Sequence, residues 1–130
     1  MSDPLVVHEA AEPWQEWPDP AVRARSPIRW KLLVGGERLP SRGLLVGTAE
    51  LPAGGRLIRH HHAPPEAYYI LEGRGQVEVG GEVIEVGPGS AVYIPADATH
   101  AAFNTGTAPL RFVWIFPADR FDQIRYIWDE

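Results

Sequence analysis

Gly54-Gly55-Arg56-Leu57-Ile58-Arg59-His60-His61-His62-Ala63-Pro64-Pro65-Glu66 is the stretch that decides the fold. His60 and His62 stand two residues apart, a spacing that a β-strand turns to one face. Pro64-Pro65 forces a rigid bend without backbone donors, and Glu66 then returns a carboxylate beside the imidazoles. Strict alternation places Arg56 and Ile58 on the face of His60 and His62, with Leu57, Arg59 and His61 pointing away. His61 is therefore read as a bystander. After the bend Glu66, Tyr68 and Ile70 share a face. A second segment, Gly89-Ser90-Ala91-Val92-Tyr93-Ile94-Pro95-Ala96-Asp97-Ala98-Thr99-His100, offers one more ligand just after a strand-like run and a turn. Nitrogen and oxygen donors of this kind suit one divalent transition metal: Fe, Mn, Ni, Co or Zn.

Working outward, the 130 residues fit one domain, and the absence of cysteine removes disulfides, thiolate zinc sites, iron–sulfur clusters and cysteine nucleophiles. It is compatible with a reducing cytoplasm. Twelve basic against seventeen acidic residues give a net charge of −5 without a Lys/Arg cluster, which argues against nucleic acid and anionic membranes as partners. Met1 to Glu16 lack the basic and apolar regions of a signal peptide, and no window is apolar enough to span a membrane. The expectation is a cytoplasmic protein acting on a small molecule.

Thirteen glycines and thirteen prolines punctuate short apolar runs at the spacing of an all-β sandwich or barrel. Strands are expected at about 28–34, 43–51, 55–62, 66–72, 75–79, 82–86, 90–94, 98–104, 109–116 and 123–128, with a helical turn only near Pro117 to Asp122. Val79-Gly80-Gly81-Glu82 reads as a two-residue hairpin and Gly87-Pro88-Gly89 as a sharp loop. Residues 1–27, rich in Pro, Glu and Trp, read as an extended N-terminal arm, and residues 28–130 as a single barrel domain.

The spacing Gly54-x5-His60-x-His62-x3-Glu66-x6-Gly73 resembles the first signature of the cupin superfamily, and Gly89-x5-Pro95-x4-His100-x3-Asn104 resembles the second. Asp97 stands where the family usually has glycine; aspartate tolerates a left-handed turn better than most residues, so the turn is expected to survive. The resemblance implies a small double-stranded β-barrel, or jelly roll, with a metal held by His60, His62, Glu66 and His100, and a homodimer. The competing reading, imidazoles that merely fill a core, leaves three rings and a carboxylate desolvated without a partner, which is costly.

Many cupins share such a shell, so chemistry must come from the other cavity side chains. Tyr68 and Tyr126 are the candidates: beside a cation a phenol can act as a base, and otherwise each packs as a structural tyrosine. With the run Leu110 to Asp119, the pattern resembles the small cupin lyases acting on dimethylsulfoniopropionate. In them a metal holds the substrate carboxylate and a tyrosine removes the α-proton. That resemblance implies β-elimination with Tyr68 as base and Tyr126 assisting. The alternatives are a non-haem iron dioxygenase, a sugar-acid isomerase, and a non-catalytic metal or small-molecule binder. Trp30, Phe103, Phe112 and Trp114 are available as aromatic faces for a cationic substrate group, Arg56 as a carboxylate clamp, and Tyr69 and Tyr93 as interface residues.

Overall fold

Short apolar runs between glycine and proline turns give ten antiparallel strands in the computed structural model, which describes residues 5–130. They are β1 (Arg29–Val34), β2 (Leu45–Leu51), β3 (Arg56–His61), β4 (Glu66–Glu72), β5 (Gly75–Val79), β6 (Glu82–Val86), β7 (Ala91–Ile94), β8 (His100–Asn104), β9 (Leu110–Phe116) and β10 (Ile127–Trp128). Two five-stranded sheets result, in the orders β1-β2-β9-β4-β7 and β10-β3-β8-β5-β6. Their inner faces enclose Leu45, Leu51, Ile70, Val77, Ile94, Leu110, Phe112 and Phe116, all almost fully buried. This all-β jelly roll is the expected architecture, and most strand limits agree within two residues.

The turns obey their local chemistry. Gly80 and Gly81 have φ of 58° and 87°, the left-handed pair that a two-residue hairpin between β5 and β6 requires. Asp97 is the one non-glycine among the described residues with positive φ, 62°, and its N–H donates to the His62 carbonyl at 3.0 Å. The turn below the second motif therefore survives its aspartate. Asn104 also has a structural duty: its amide donates to the carbonyls of Leu51 (3.0 Å) and Ala108 (2.8 Å) and accepts from the Gly106 N–H (2.9 Å).

The N-terminal arm is not extended throughout. Asp19 caps a six-residue helix, α1 (Pro20–Arg25), through Oδ1 and the Ala21 N–H, with proline at the first helical position. A 3-10 turn covers Glu9–Ala11, while the first four residues of the expected arm lie outside the described residues. The arm crosses the sheet edge. Glu9 pairs with Arg111 at 2.7 Å and its carbonyl accepts from Lys31, Trp14 stacks on Arg29 with 3.9 Å between guanidinium and ring, Gln15 bridges to Trp30, and Trp17 turns into the barrel mouth.

At the C-terminus the expected strand over 123–128 shrinks to Ile127–Trp128, and the helical turn falls on Phe121–Gln123. The Gln123 side chain accepts from the Asp119 and Arg120 N–H groups and holds that turn.

Candidate metal centre

β3 carries the first surprise. Leu57 pairs with Ala102, but His60 pairs with His100, so three residues of β3 oppose two of β8. This bulge switches the inward phase from odd to even residues. Leu57 therefore faces the cavity with His60 and His62, and Arg56 does not. Arg56 instead pairs with Glu130 at the surface, so the carboxylate-clamp expectation for it is withdrawn. Regular alternation misplaced it because no residue in Arg56–Arg59 announces a bulge.

His60, His62 and His100 then converge, with ligand atoms all within 4.8 Å of one another and all three side chains buried. Each ring is aimed by a backbone carbonyl. Nδ1 of His60 lies 2.7 Å from the Ile58 oxygen, that of His62 2.9 Å from Pro64, and that of His100 2.9 Å from Ala98. A carbonyl only accepts, so each Nδ1 donates and each Nε2 is turned toward the centre. Burial, reinforced by the neighbouring His100 and His62 rings, pushes the His60 pKa down to about 2, which keeps that ring neutral.

Glu66 enters from the opposite sheet. Its Oε1 lies 3.2 Å from His62 Nε2 and 3.4 Å from His100 Nε2. Nε2 of His60 and of His100 have no hydrogen-bond partner among the described residues. Such a cluster of buried ligand atoms fits an electron-pair acceptor, and the three imidazoles can hold a divalent cation. His61 faces away and contacts the Asp129 carboxylate at 2.8 Å, as expected of a bystander.

Beside the centre is a cavity of about 20 Å³, room for one water. Glu66, Tyr68 and Leu57 line it, together with an aromatic wall of Trp30, Phe112 and Trp114. Trp114 packs so closely on Gly47 that a Cβ there would lie 2.1 Å from the indole. Phe103, expected among the aromatic faces, is outside this wall and lies under Arg59. The cap is an aromatic cluster from two chain segments. Trp17 of the arm meets Trp30, Tyr126 and Trp128 at centroid distances of 4.6, 5.0 and 5.0 Å. Tyr126 stacks on His60 at 5.0 Å and 27°. The participation of Trp17 was not legible, because nothing in the arm's composition says where its aromatic residues dock.

Tyr68 Oη and the Nε1–H groups of Trp17 and Trp30 are buried without a hydrogen-bond partner among the described residues. Burial first, then the Glu66 charge, hold both the Tyr68 and Tyr126 phenols protonated far above the ordinary tyrosine value. Positive charge at the centre acts in the opposite direction.

With this fold and site described, the chain is a member of the cupin domain family, whose sequence model matches residues 47–116. Among its relatives it is similar to the dimethylsulfoniopropionate lyase DddW of Ruegeria pomeroyi, at 39% identity over 99 residues, covering 76% of this chain and 64% of the lyase. It is also similar to a glucose-6-phosphate isomerase of Thermococcus kodakarensis, at 41% over 68 residues, 46% of this chain and 36% of the isomerase. The chain thus spans less than two thirds of either relative. Among solved structures, the polyketide cyclase RemF from Streptomyces resistomycificus superimposes with a TM-score of 0.78 at 21% identity, covering 95% of this chain and 84% of that one, a likeness of fold.

Proposed function

We propose that the chain is a metal-dependent lyase for a small organic acid, of the dimethylsulfoniopropionate type, with Glu66 as the fourth ligand beside His60, His62 and His100. The observation that carries this reading is Tyr68: a buried hydroxyl without a hydrogen-bond partner among the described residues, lining the same cavity as Glu66. The similarity to the Ruegeria pomeroyi lyase supports it.

A divalent ion, when bound, supplies Lewis-acid stabilisation of negative charge developing on a substrate carboxylate. The side chains do the rest. Trp17 and Trp30 offer hydrogen-bond donors to carboxylate oxygens, and the faces of Phe112 and Trp114 suit a sulfonium group. Tyr68, as phenolate, takes the α-proton. The C–H electron pair becomes the new Cα=Cβ bond, the Cβ–S bond breaks, and its electrons leave with dimethyl sulfide, giving acrylate. Tyr126, over His60, assists by relaying a proton from Tyr68 toward the cap. The cap must move to admit an acid, since the cavity has room for about one water.

Among the described residues no Lys or Arg lines the cavity, which disfavours a phosphorylated sugar as substrate. A dioxygenase would consume oxygen, whereas elimination is redox-neutral. We place the reaction in the cytoplasm and the protein in a homodimer. The test is dimethyl sulfide release by metal-loaded protein under anaerobic conditions. Tyr68→Phe should lower it by about 10²–10⁴-fold with metal retained. A fully metallated protein that releases none contradicts the lyase reading.

A further inference from the structure

We propose that Ser26, on the N-terminal arm, is a positioning residue for His60 and so for the metal centre. Ser26 lies outside the span of the family match, and its side chain is fully buried. It ends helix α1, where its N–H donates to the Val22 carbonyl at 2.8 Å, and its own carbonyl accepts from the Ile28 N–H at 2.8 Å. Those two bonds fix its place against β3. Its hydroxyl then bridges the bulge: Oγ donates to the Arg56 carbonyl at 3.1 Å and accepts from the Ile58 N–H at 3.2 Å.

A bulge leaves backbone groups without ladder partners, and here the Ile58 N–H is buried while the Arg56 carbonyl is partly so. Ser26 satisfies one donor and one acceptor at once. The other side of the same Ile58 residue holds the metal ligand, because its carbonyl takes the Nδ1 proton of His60 at 2.7 Å. The chain of contacts runs from Ser26 Oγ through the Ile58 backbone to the His60 ring. A residue on the arm thereby sets both the phase of β3 and the tautomer and direction of one ligand.

This inference rests on the metal reading of the site. The experiment is titration of metal-depleted protein with Co(II), reading the ligand-field absorption and the Kd. Wild type, Ser26→Ala, Ser26→Thr, His60→Ala and the Ser26→Ala/His60→Ala pair are compared. Ser26→Ala should bind roughly tenfold more weakly, at the lower end of what loss of a supporting hydrogen bond does to a metal ligand, with an altered spectrum. Ser26→Thr, which keeps the hydroxyl, should restore both. In the His60→Ala background the serine substitution should change affinity by less than about twofold, as expected for residues acting through one another.

Wild-type affinity and spectrum in folded Ser26→Ala would overturn the proposal. So would equal losses in the two backgrounds, which would mark Ser26 as generally structural. Should Ser26→Ala not fold, amide exchange in the wild type decides: strong protection of the Ile58 N–H, increased by Co(II), supports the proposal, and an unprotected Ile58 overturns it. A wild-type protein that takes up no Co(II) defeats the metal centre itself, a failure distinct from these.

Discussion

The Tyr126 ring lies over the His60 ring, with centroids 5.0 Å apart and planes inclined by 27°. One tyrosine is thus both a candidate proton carrier and the packing partner of a candidate ligand, and two substitutions separate these duties. Tyr126→Phe keeps the stack and loses the hydroxyl, so metal affinity should stay within about twofold while turnover falls by about 10²-fold. Tyr126→Ala should also destabilise the fold by at least the roughly 0.5–1.5 kcal/mol of an aromatic pair and weaken metal binding. Calorimetric metal titration and steady-state kinetics read the two effects.

Removal of single ligands tests the four-residue shell. His60→Ala, His62→Ala, Glu66→Ala and His100→Ala should each lose most of the metal on dialysis, measured by elemental analysis. Full occupancy in Glu66→Ala would reduce the shell to three imidazoles, and full occupancy in His100→Ala would contradict the assignment altogether.

Trp17 holds the cap from the arm side, packed against Trp30, Tyr126 and Trp128. Trp17→Ala should cost roughly 2–4 kcal/mol, somewhat less than a fully buried tryptophan, because Trp17 is only partly buried. It should also open the mouth. Stripping of bound metal by a chelator should then proceed faster than in the wild type, and an unchanged rate would show that the arm does not control access.

Acid should loosen the two segments that bring the cap together. The Glu9 carboxyl is held below its ordinary 4.5 chiefly by the neighbouring Thr48 hydroxyl, then by Arg111, which it meets at 2.7 Å, and by Lys31. That of Glu130 is held below 4.5 chiefly by the Arg59 backbone N–H, then by Arg56 and Arg59. For a carboxyl lowered in the folded state, the released state binds more protons, so the attachment is complete above about 4.5 and fades as pH falls through the lowered values. Tryptophan emission should shift to the red below about pH 4.5 before the barrel unfolds. Emission that changes only with global unfolding would count against this. Both groups sit near the surface, so added salt should weaken the effect.

Asp97 accepts a left-handed backbone in the turn whose N–H holds the His62 carbonyl. Asp97→Gly should be neutral or stabilising by up to about 1 kcal/mol, and Asp97→Val destabilising by about 1–2 kcal/mol, read from thermal unfolding.

What the sequence made legible follows from the range of its signals. Strands, the glycine hairpin and the proline bend are local, and the paired motifs brought His100 to His60 and His62 across strands without any coordinates. Tyr68 lay inward as alternation said. Arg56 and Leu57 were exchanged because a bulge depends on what its unpaired backbone finds, here a serine thirty residues earlier. Trp17 and Trp14 look alike in sequence, yet one enters the mouth and the other lies on an arginine at the sheet's outer edge. Only the route of the arm distinguishes them.

The extra residue in β3 also acts as a frame shift within a single strand. Upstream of it, odd positions supply the oily wall through Leu57; downstream, even positions supply imidazoles, and both arginines of the strand stay outside. Regularising this ladder with every residue kept would place those two sets out of step. Either the histidines would keep the centre and an arginine would enter the cavity, or the wall would stay apolar and the ligands would turn to solvent. The three-residue step from Leu57 to His60 therefore works only while the bulge is kept, and a change that irons it out should cost either the apolar wall or the ligands.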